Sequence, residues 1–231
     1  MSPLRRRLLM ALLLLLALGF ARLGVWQLSR LHQRRAANRV TLAARSAPAV
    51  PLPGSALQGA DTLMEHRVIA RGRYDHDHDI VLRGESLQGV PGVHLVTPLR
   101  MAGTDTALLV DRGFVPAPDA MSVEPERLRE AGDVVAEGII ARVGSGGGKP
   151  IVHAGRTTWA RLDLPVLRER LPYPVLPVYL RQVPGPGVPS FPRRLDPLPI
   201  DEGPHLSYAV QWFLFAGLAM AFAFLIVGRR A

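Results

Sequence analysis

Residues 206–228 run for 23 positions without a formal charge and then meet Arg229 and Arg230. As a helix rising about 1.5 Å per residue, such a run reaches roughly 33 Å, enough to cross a hydrocarbon core about 30 Å thick. A basic flank at one end, and Tyr208 and Trp212 at the other, match the charge and aromatic anchors of a membrane helix. This stretch predicts a transmembrane helix over 205–228.

The other end of the chain carries a second apolar run. Arg5, Arg6 and Arg7 precede residues 8–21, which are uncharged and mostly leucine. That length also suits a cleavable signal peptide, with Gly19-Phe20-Ala21 as a small-residue cleavage site. The apolar pattern resumes after Arg22 as LGVWQL, so residues 8–29 hold a single charge. They span a bilayer if Arg22 snorkels or finds a partner. Basic residues flank both runs on the side away from the middle. The positive-inside rule then puts residues 1–7 and 229–231 in the cytoplasm and 30–204 outside, in a bacterial periplasm or a mitochondrial intermembrane space.

Charge and composition remove several function classes. The formal charge is +9, but all nineteen acidic residues lie between Asp61 and Glu202. Six of the 28 basic residues (Arg5, Arg6, Arg7, Arg22, Arg229, Arg230) sit in the terminal segments, which leaves the middle at +3. The excess belongs to the ends, so it is no nucleic-acid footprint. There are no cysteines, which excludes disulfides, thiol nucleophiles, thiolate metal sites and paired-thiol copper transfer.

In the middle, RLHQRRAANR (30–39) reads as a basic continuation of the first helix and APAVPLPGSA (47–56) as a Pro-rich linker. Short apolar or alternating runs then predict strands at 66–74, 79–83, 92–100, 107–115, 134–143 and 175–183. PERLREAG (125–132) and LPVLRERL (164–171) predict short helices. Seven prolines in residues 184–204 predict a stiff, extended connector. The expected fold is a membrane protein: two transmembrane α-helices flanking a β-rich α+β extracytoplasmic domain, or a half-open barrel.

Few patterns in that domain carry chemistry. GSGGGK (144–149) lacks P-loop spacing and has Pro150 where a Ser or Thr must hold magnesium, so it reads as a loop. YDHDHD (74–79) could offer His76 and His78 to a metal, but two imidazoles fall short of the three or four converging ligands a site needs. A solvated turn between strands is the simpler reading. Asp111, beside Arg112, reads as an ion pair or turn contact.

The start of the last helix, HLSYAVQW (205–212), is more informative. His205, Tyr208 and Trp212 are spaced i, i+3, i+7 and share one face, with Gln211 at its border. Such a face could hold a flat apolar ligand with an iron centre, or be a helix-terminal histidine among interfacial aromatics. The first helix offers Trp26 and Gln27 at the same height. Arg22, one turn below, could meet an acidic ligand group or snorkel. Ala17 and Ala21 with Gly217 and Ala221 would let the two helices pack closely.

LGVWQLSRL (23–31), GVHLVTPL (92–99), LLVDRGFVP (108–116) and HLSYAVQWF (205–213) resemble, in order and over nearly the whole chain, the surfeit locus protein 1 family. Arg34 stands where a lysine is more usual, and Phe114 where the family commonly has tryptophan. The resemblance implies a retained first helix and a role in assembling haem-copper cytochrome c oxidase, delivering or stabilising haem a in the oxidase core subunit. It makes His205 the candidate ligand of the haem iron. Tyr208 and Trp212 would then line the ring, with Trp26, Gln27 and Arg22 completing the site. No bond is made or broken in that role, so no enzyme activity is expected. The outer domain would dock the oxidase core subunit or the haem-a synthase, and the two middle motifs would build its sheet, with Arg112 and Gly113 at a turn. Two alternatives stand beside this. One is a haem-free membrane chaperone of the oxidase subunit. The other is a membrane-anchored periplasmic metal-dependent hydrolase using YDHDHD.

Overall fold

A computed structural model describes residues 2–52, 59–147 and 149–228. Arg229 and Arg230, part of the Pro-rich 47–56 stretch and Gly148 of the glycine loop lie outside the described residues. In chain order the elements are α1 (Pro3–Ser46), β1 (Val50–Leu52), β2 (Arg67–Tyr74), β3 (Ile80–Leu87), β4 (Val90–Met101), β5 (Ala107–Pro116), β6 (Val134–Arg142), β7 (Ile151–His153), β8 (Arg156–Trp159), α2 (Leu164–Arg170), β9 (Val175–Gln182) and α3 (His205–Gly228). They divide into two compact units, Met1–Leu42 with Pro199–Ala231, and Ala43–Leu198.

The first unit is a pair of helices, each long and apolar enough to cross a membrane. α1 extends well past the predicted span, carrying the basic 30–39 stretch as continuous helix. It stops at Ser46 because Pro48 disfavours helical backbone at Ala47. Three contacts set the two helices antiparallel in one register. Arg6 donates to the Ile226 carbonyl, Phe20 stacks on Trp212 at 5.7 Å, and His205 meets Gln27 at 2.9 Å. On each helix the outermost contacts are 21 residues apart, about 31 Å along the axis.

The seam corrects one expectation. On α1 the buried positions are Ala17, Gly24 and Leu31, one every seven residues; on α3 they are Ala209, Ala219 and Ala223. Ala17 is therefore in the seam, but Gly217 and Ala221 are exposed. Phe213 explains the rotation. Its ring lies so close over Gly24 that a Cβ there would sit 2.7 Å from it. Docking that ring on a bare backbone turns the 217/221 flank outward.

The second unit is built on a nine-stranded sheet ordered β1-β2-β6-β9-β5-β4-β3-β8-β7, with an added pairing of β2 to β4. That pairing closes β2, β6, β9, β5 and β4 into a five-stranded ring, from which β3, β8 and β7 continue. β4 can serve both because it is long: its first part pairs with β3 and its end, Leu99–Met101, with β2. Alternate residues fill the ring: Val68 and Ala70, Leu99 and Met101, Leu108 and Val110, Ala136 and Ile140, and Leu176, Val178 and Leu180. A second cluster beneath α2 joins Leu109, Val96 and Ile80 to Trp159, Leu162 and Leu167. Asp163 caps α2 by accepting from the Val166 N–H.

Several expectations change here. PERLREAG forms only a 3-10 turn at Pro125–Leu128, because the Leu128 carbonyl and the Glu130 carboxylate are turned inward to Arg112. Arg112 and Gly113 are not at a turn. They form a β-bulge inside β5: Leu95 pairs with Gly113 and Val96 with Asp111, which leaves Arg112 as the extra residue. The 184–204 stretch is more than a connector, since Arg193 bridges to Phe114 and Arg194 is buried.

Gly113 has φ +114°, and a Cβ there would overlap the Arg193 carbonyl. Gly113→Ala is therefore expected to cost at least the ~1–3 kcal/mol of a strained backbone position. A fall of several degrees in the thermal midpoint of the purified protein would show it; an unchanged midpoint would mean the bulge relaxes freely.

Candidate functional site

In the helical pair, His205 opens α3 directly after Gly203-Pro204. Its Nδ1 lies 2.9 Å from the Gln27 amide oxygen. An amide oxygen only accepts, so Nδ1 is the donor in this contact, and in the neutral tautomer that donates there Nε2 keeps its lone pair. This is how a histidine is oriented when its other nitrogen is to bind a metal. Gly203 faces that side of the ring: with φ +73° it sits where a Cβ would lie 3.5 Å from Nε2 and Cδ2. A bare backbone there keeps the approach to Nε2 less crowded.

Four of the six residues singled out from sequence fall into two groups. His205 and Gln27 form the hydrogen-bonded pair. Arg22 and Trp26 line a groove of about 760 Å³ along α1 that runs from Leu15 to Ser29. Arg30 lies over the Trp26 ring at 5.6 Å. Trp212 joins the two groups indirectly, by stacking on Phe20, which also lines the groove. Tyr208 stands exposed on the first turns of α3. His205 does not line the α1 groove. Phe20, Gly24 and Gly203 were missed from sequence. Only Gly24, a glycine inside an apolar helix, carried a readable signal.

In the sheet unit, the largest polar feature is a buried ionic network at one end of the strand ring. Arg112, fully buried, donates to Glu130 Oε1 through Nε (3.1 Å) and Nη2 (2.7 Å) and to Thr97 Oγ1 at 3.3 Å. Arg194 donates to the same Glu130 oxygen and, at 2.9 Å, to Gln182. Thr97 in turn donates to Asp79. Tyr74 lies under Arg112, ring to guanidinium 5.1 Å.

YDHDHD folds as a 3-10 turn, His76–His78, between β2 and β3. Both its histidines serve that turn. The Glu130 N–H donates to His76 Nε2 at 3.0 Å, with Asp79 at 3.4 Å from Nδ1. His78 Nδ1 is 2.9 Å from Asp75, which also accepts from the Tyr173 hydroxyl at 2.7 Å. Among the described residues no group of three or more His, Asp or Glu side chains is placed to hold a metal ion.

The chain is 29% identical over 215 residues to a SURF1-like protein of Monosiga brevicollis, an alignment covering 86% of this chain and 80% of the relative. Its sequence also matches the SURF1 family over residues 14–217. A match of that extent takes in most of α1, the first half of α3, the whole sheet unit and the His205–Gln27 contact, and on it the chain belongs to the SURF1 family.

Proposed function

We propose that this protein is a membrane-bound assembly factor for haem-copper cytochrome c oxidase, and that it holds haem a for transfer to the oxidase core subunit. Membership of the SURF1 family is consistent with a role in oxidase assembly. Two terminal helices long and apolar enough to cross a membrane support a membrane location. The arginines flanking them support cytoplasmic termini and an outer sheet unit.

The observation that carries the haem reading is the His205–Gln27 hydrogen bond. With Nδ1 donating to Gln27, the neutral form of the ring is held in the tautomer whose Nε2 can bind iron. The donor set fits the cargo: one nitrogen ligand gives modest, exchangeable affinity, as a carrier needs. Tyr208 and Trp212 would contact the ring, with Trp26 and Arg22 on the neighbouring helix. Haem a supplies the iron and an amphiphilic macrocycle; the protein binds and orients it and makes no bond in it, so no catalysis is assigned. The sheet unit is the natural contact for the oxidase core subunit or the haem-a synthase.

A haem-free chaperone of the oxidase subunit is favoured by one observation: Arg22 and Trp26 line a groove that does not include His205. Retention of haem by the purified protein separates the two readings. A metal-dependent hydrolase built on YDHDHD has both histidines already tied into the turn. The double variant His76→Ala, His78→Ala is expected to support near-normal oxidase levels in a deletion strain. Complete loss of function with the protein still present at its usual level would favour the hydrolase.

A further inference from the structure

The two middle motifs meet in a cleft of about 430 Å³ in the sheet unit. His94 of β4 and Asp111 of β5 face each other there. His94 Nδ1 is 3.0 and 2.9 Å from the two Asp111 oxygens, and Asp111 also accepts from the Gly113 N–H at 3.0 Å. Their side chains are only 20% and 10% exposed. The bulge at Arg112 makes this possible: it sends Arg112 into the ring while Asp111 stays on the outer face. With Nδ1 committed to Asp111, Nε2 is the ring atom left for the cleft.

Arg181 of β9 pairs with Asp111 in the sheet and lines the same cleft. Its Nε is buried without a hydrogen-bond partner among the described residues. The nearest carboxylate to its Nη2, that of Glu65, is 4.0 Å away and already bound to Arg45 at 2.8 Å. Arg193 also lines the cleft, its backbone clamped to Phe114. A buried donor with no partner is costly unless a ligand or water satisfies it. Glu85 and Asp196 also line the cleft and work against an anion, so its affinity will be modest.

We propose that this cleft binds an oxyanion group, a carboxylate or a phosphate, between Arg181, Arg193 and the Nε2–H of His94. A metal ion is the less suitable occupant, because among the described residues no third ligand converges on His94. Burial alone would lower the His94 imidazole, but the hydrogen bond and charge of Asp111, with Glu85 adding, raise it above its ordinary value. Protonation therefore supplies the third donor, and binding strengthens as pH falls through the His94 transition. The charged groups around that ring are Glu85 from β3, Asp111 from β5, Arg181 from β9, and Arg193 and Asp196 from the 184–204 stretch.

The test is a titration of the full-length, detergent-solubilised protein with histidine rings isotope-labelled, at constant ionic strength. His94 is assigned with His94→Gln. Acetate and inorganic phosphate are added in separate series at about pH 6 and about pH 8. A saturable shift of the His94 ring signals by one of the two ions, tighter at the lower pH, is expected, and the ion that causes it names the ligand class. Arg181→Gln should weaken it about tenfold, as loss of a charged hydrogen bond does. Arg193→Gln serves as the second variant should Arg181→Gln fail to fold. The proposal is overturned by no saturable shift with either ion, or by a shift unaffected in the folded arginine variant.

Discussion

His205→Ala is expected to strip haem a from the purified protein while leaving its fold intact. The residue opens α3, is only half-buried, and its side chain makes one hydrogen bond among the described residues, to Gln27. Losing that bond costs about 0.5–1.5 kcal/mol, too little to unfold a helical pair held along its length by the Ala17–Gly24–Leu31 seam. On the proposed haem-carrier reading, losing Nε2 removes the iron contact altogether, so haem content should fall to background. Gln27→Leu supplies the finer comparison. It keeps the imidazole but frees its tautomer and orientation, and loss of such an orienting partner weakens metal binding roughly 10–100-fold. The haem-to-protein ratio, with far-ultraviolet circular dichroism as the folding control, reads all three proteins. Wild-type haem content in the folded His205→Ala protein would remove His205 as the ligand.

Glu130→Ala is expected to be the most destabilising single substitution in the sheet unit. Glu130 is the common acceptor of Arg112 and Arg194, whose side chains are 0% and 2% exposed. Without it, two guanidiniums stay buried with no carboxylate between them. Removing one partner of a buried pair costs about 3–5 kcal/mol, a large share of a typical domain's ~5–15 kcal/mol. The same network carries an acid sensitivity. Burial raises the Glu130 carboxyl, but hydrogen bonds and charge from Arg194 and Arg112 outweigh it and hold it below its ordinary value. A lowered carboxyl contributes stability that is present above its unfolded value of about 4.5 and is lost as pH falls through the folded value. The resistance of wild type to chemical denaturation should therefore fall below about pH 4.5, and Glu130→Ala should be unstable at neutral pH. A thermal midpoint for Glu130→Ala within a few degrees of wild type would contradict this.

What the sequence made legible was what depends on local pattern. The two apolar runs, the strands from 66 to 115 and the short helix at 164–171 follow from hydropathy period and turn residues, and they are found nearly where the pattern puts them. The missed strands are the short ones. β1 contains a proline in a Pro-rich stretch, which a lone sequence reads as linker; it survives as an edge strand on β2. β7 and β8 are joined by Ala154-Gly155, both at positive φ, and an alanine in that position gives no hairpin signal. The bulge at Arg112 and the burial of Arg194 are tertiary outcomes. Each arginine is placed by Glu130, which is distant in sequence, so no local pattern announces it.

The site divides in the same way. The i, i+3, i+7 spacing of His205, Tyr208 and Trp212 marked one helix face, but the helix register decides which neighbours that face meets. Gln27 is brought to His205 by the register that also stacks Phe20 on Trp212, and Arg22 and Trp26 turn to a separate groove. His94 and Asp111 looked like sheet residues with a turn contact. The bulge is what brings them together as a pair in a cleft.

The most direct measurement is the absorption spectrum of the detergent-purified, full-length protein from cells shown to make haem a. The expected result is an a-type haem spectrum at about one haem per chain, absent from His205→Ala. A colourless wild-type protein that still restores oxidase assembly in a deletion strain would contradict the haem-carrier account and leave a chaperone that acts through protein contacts alone.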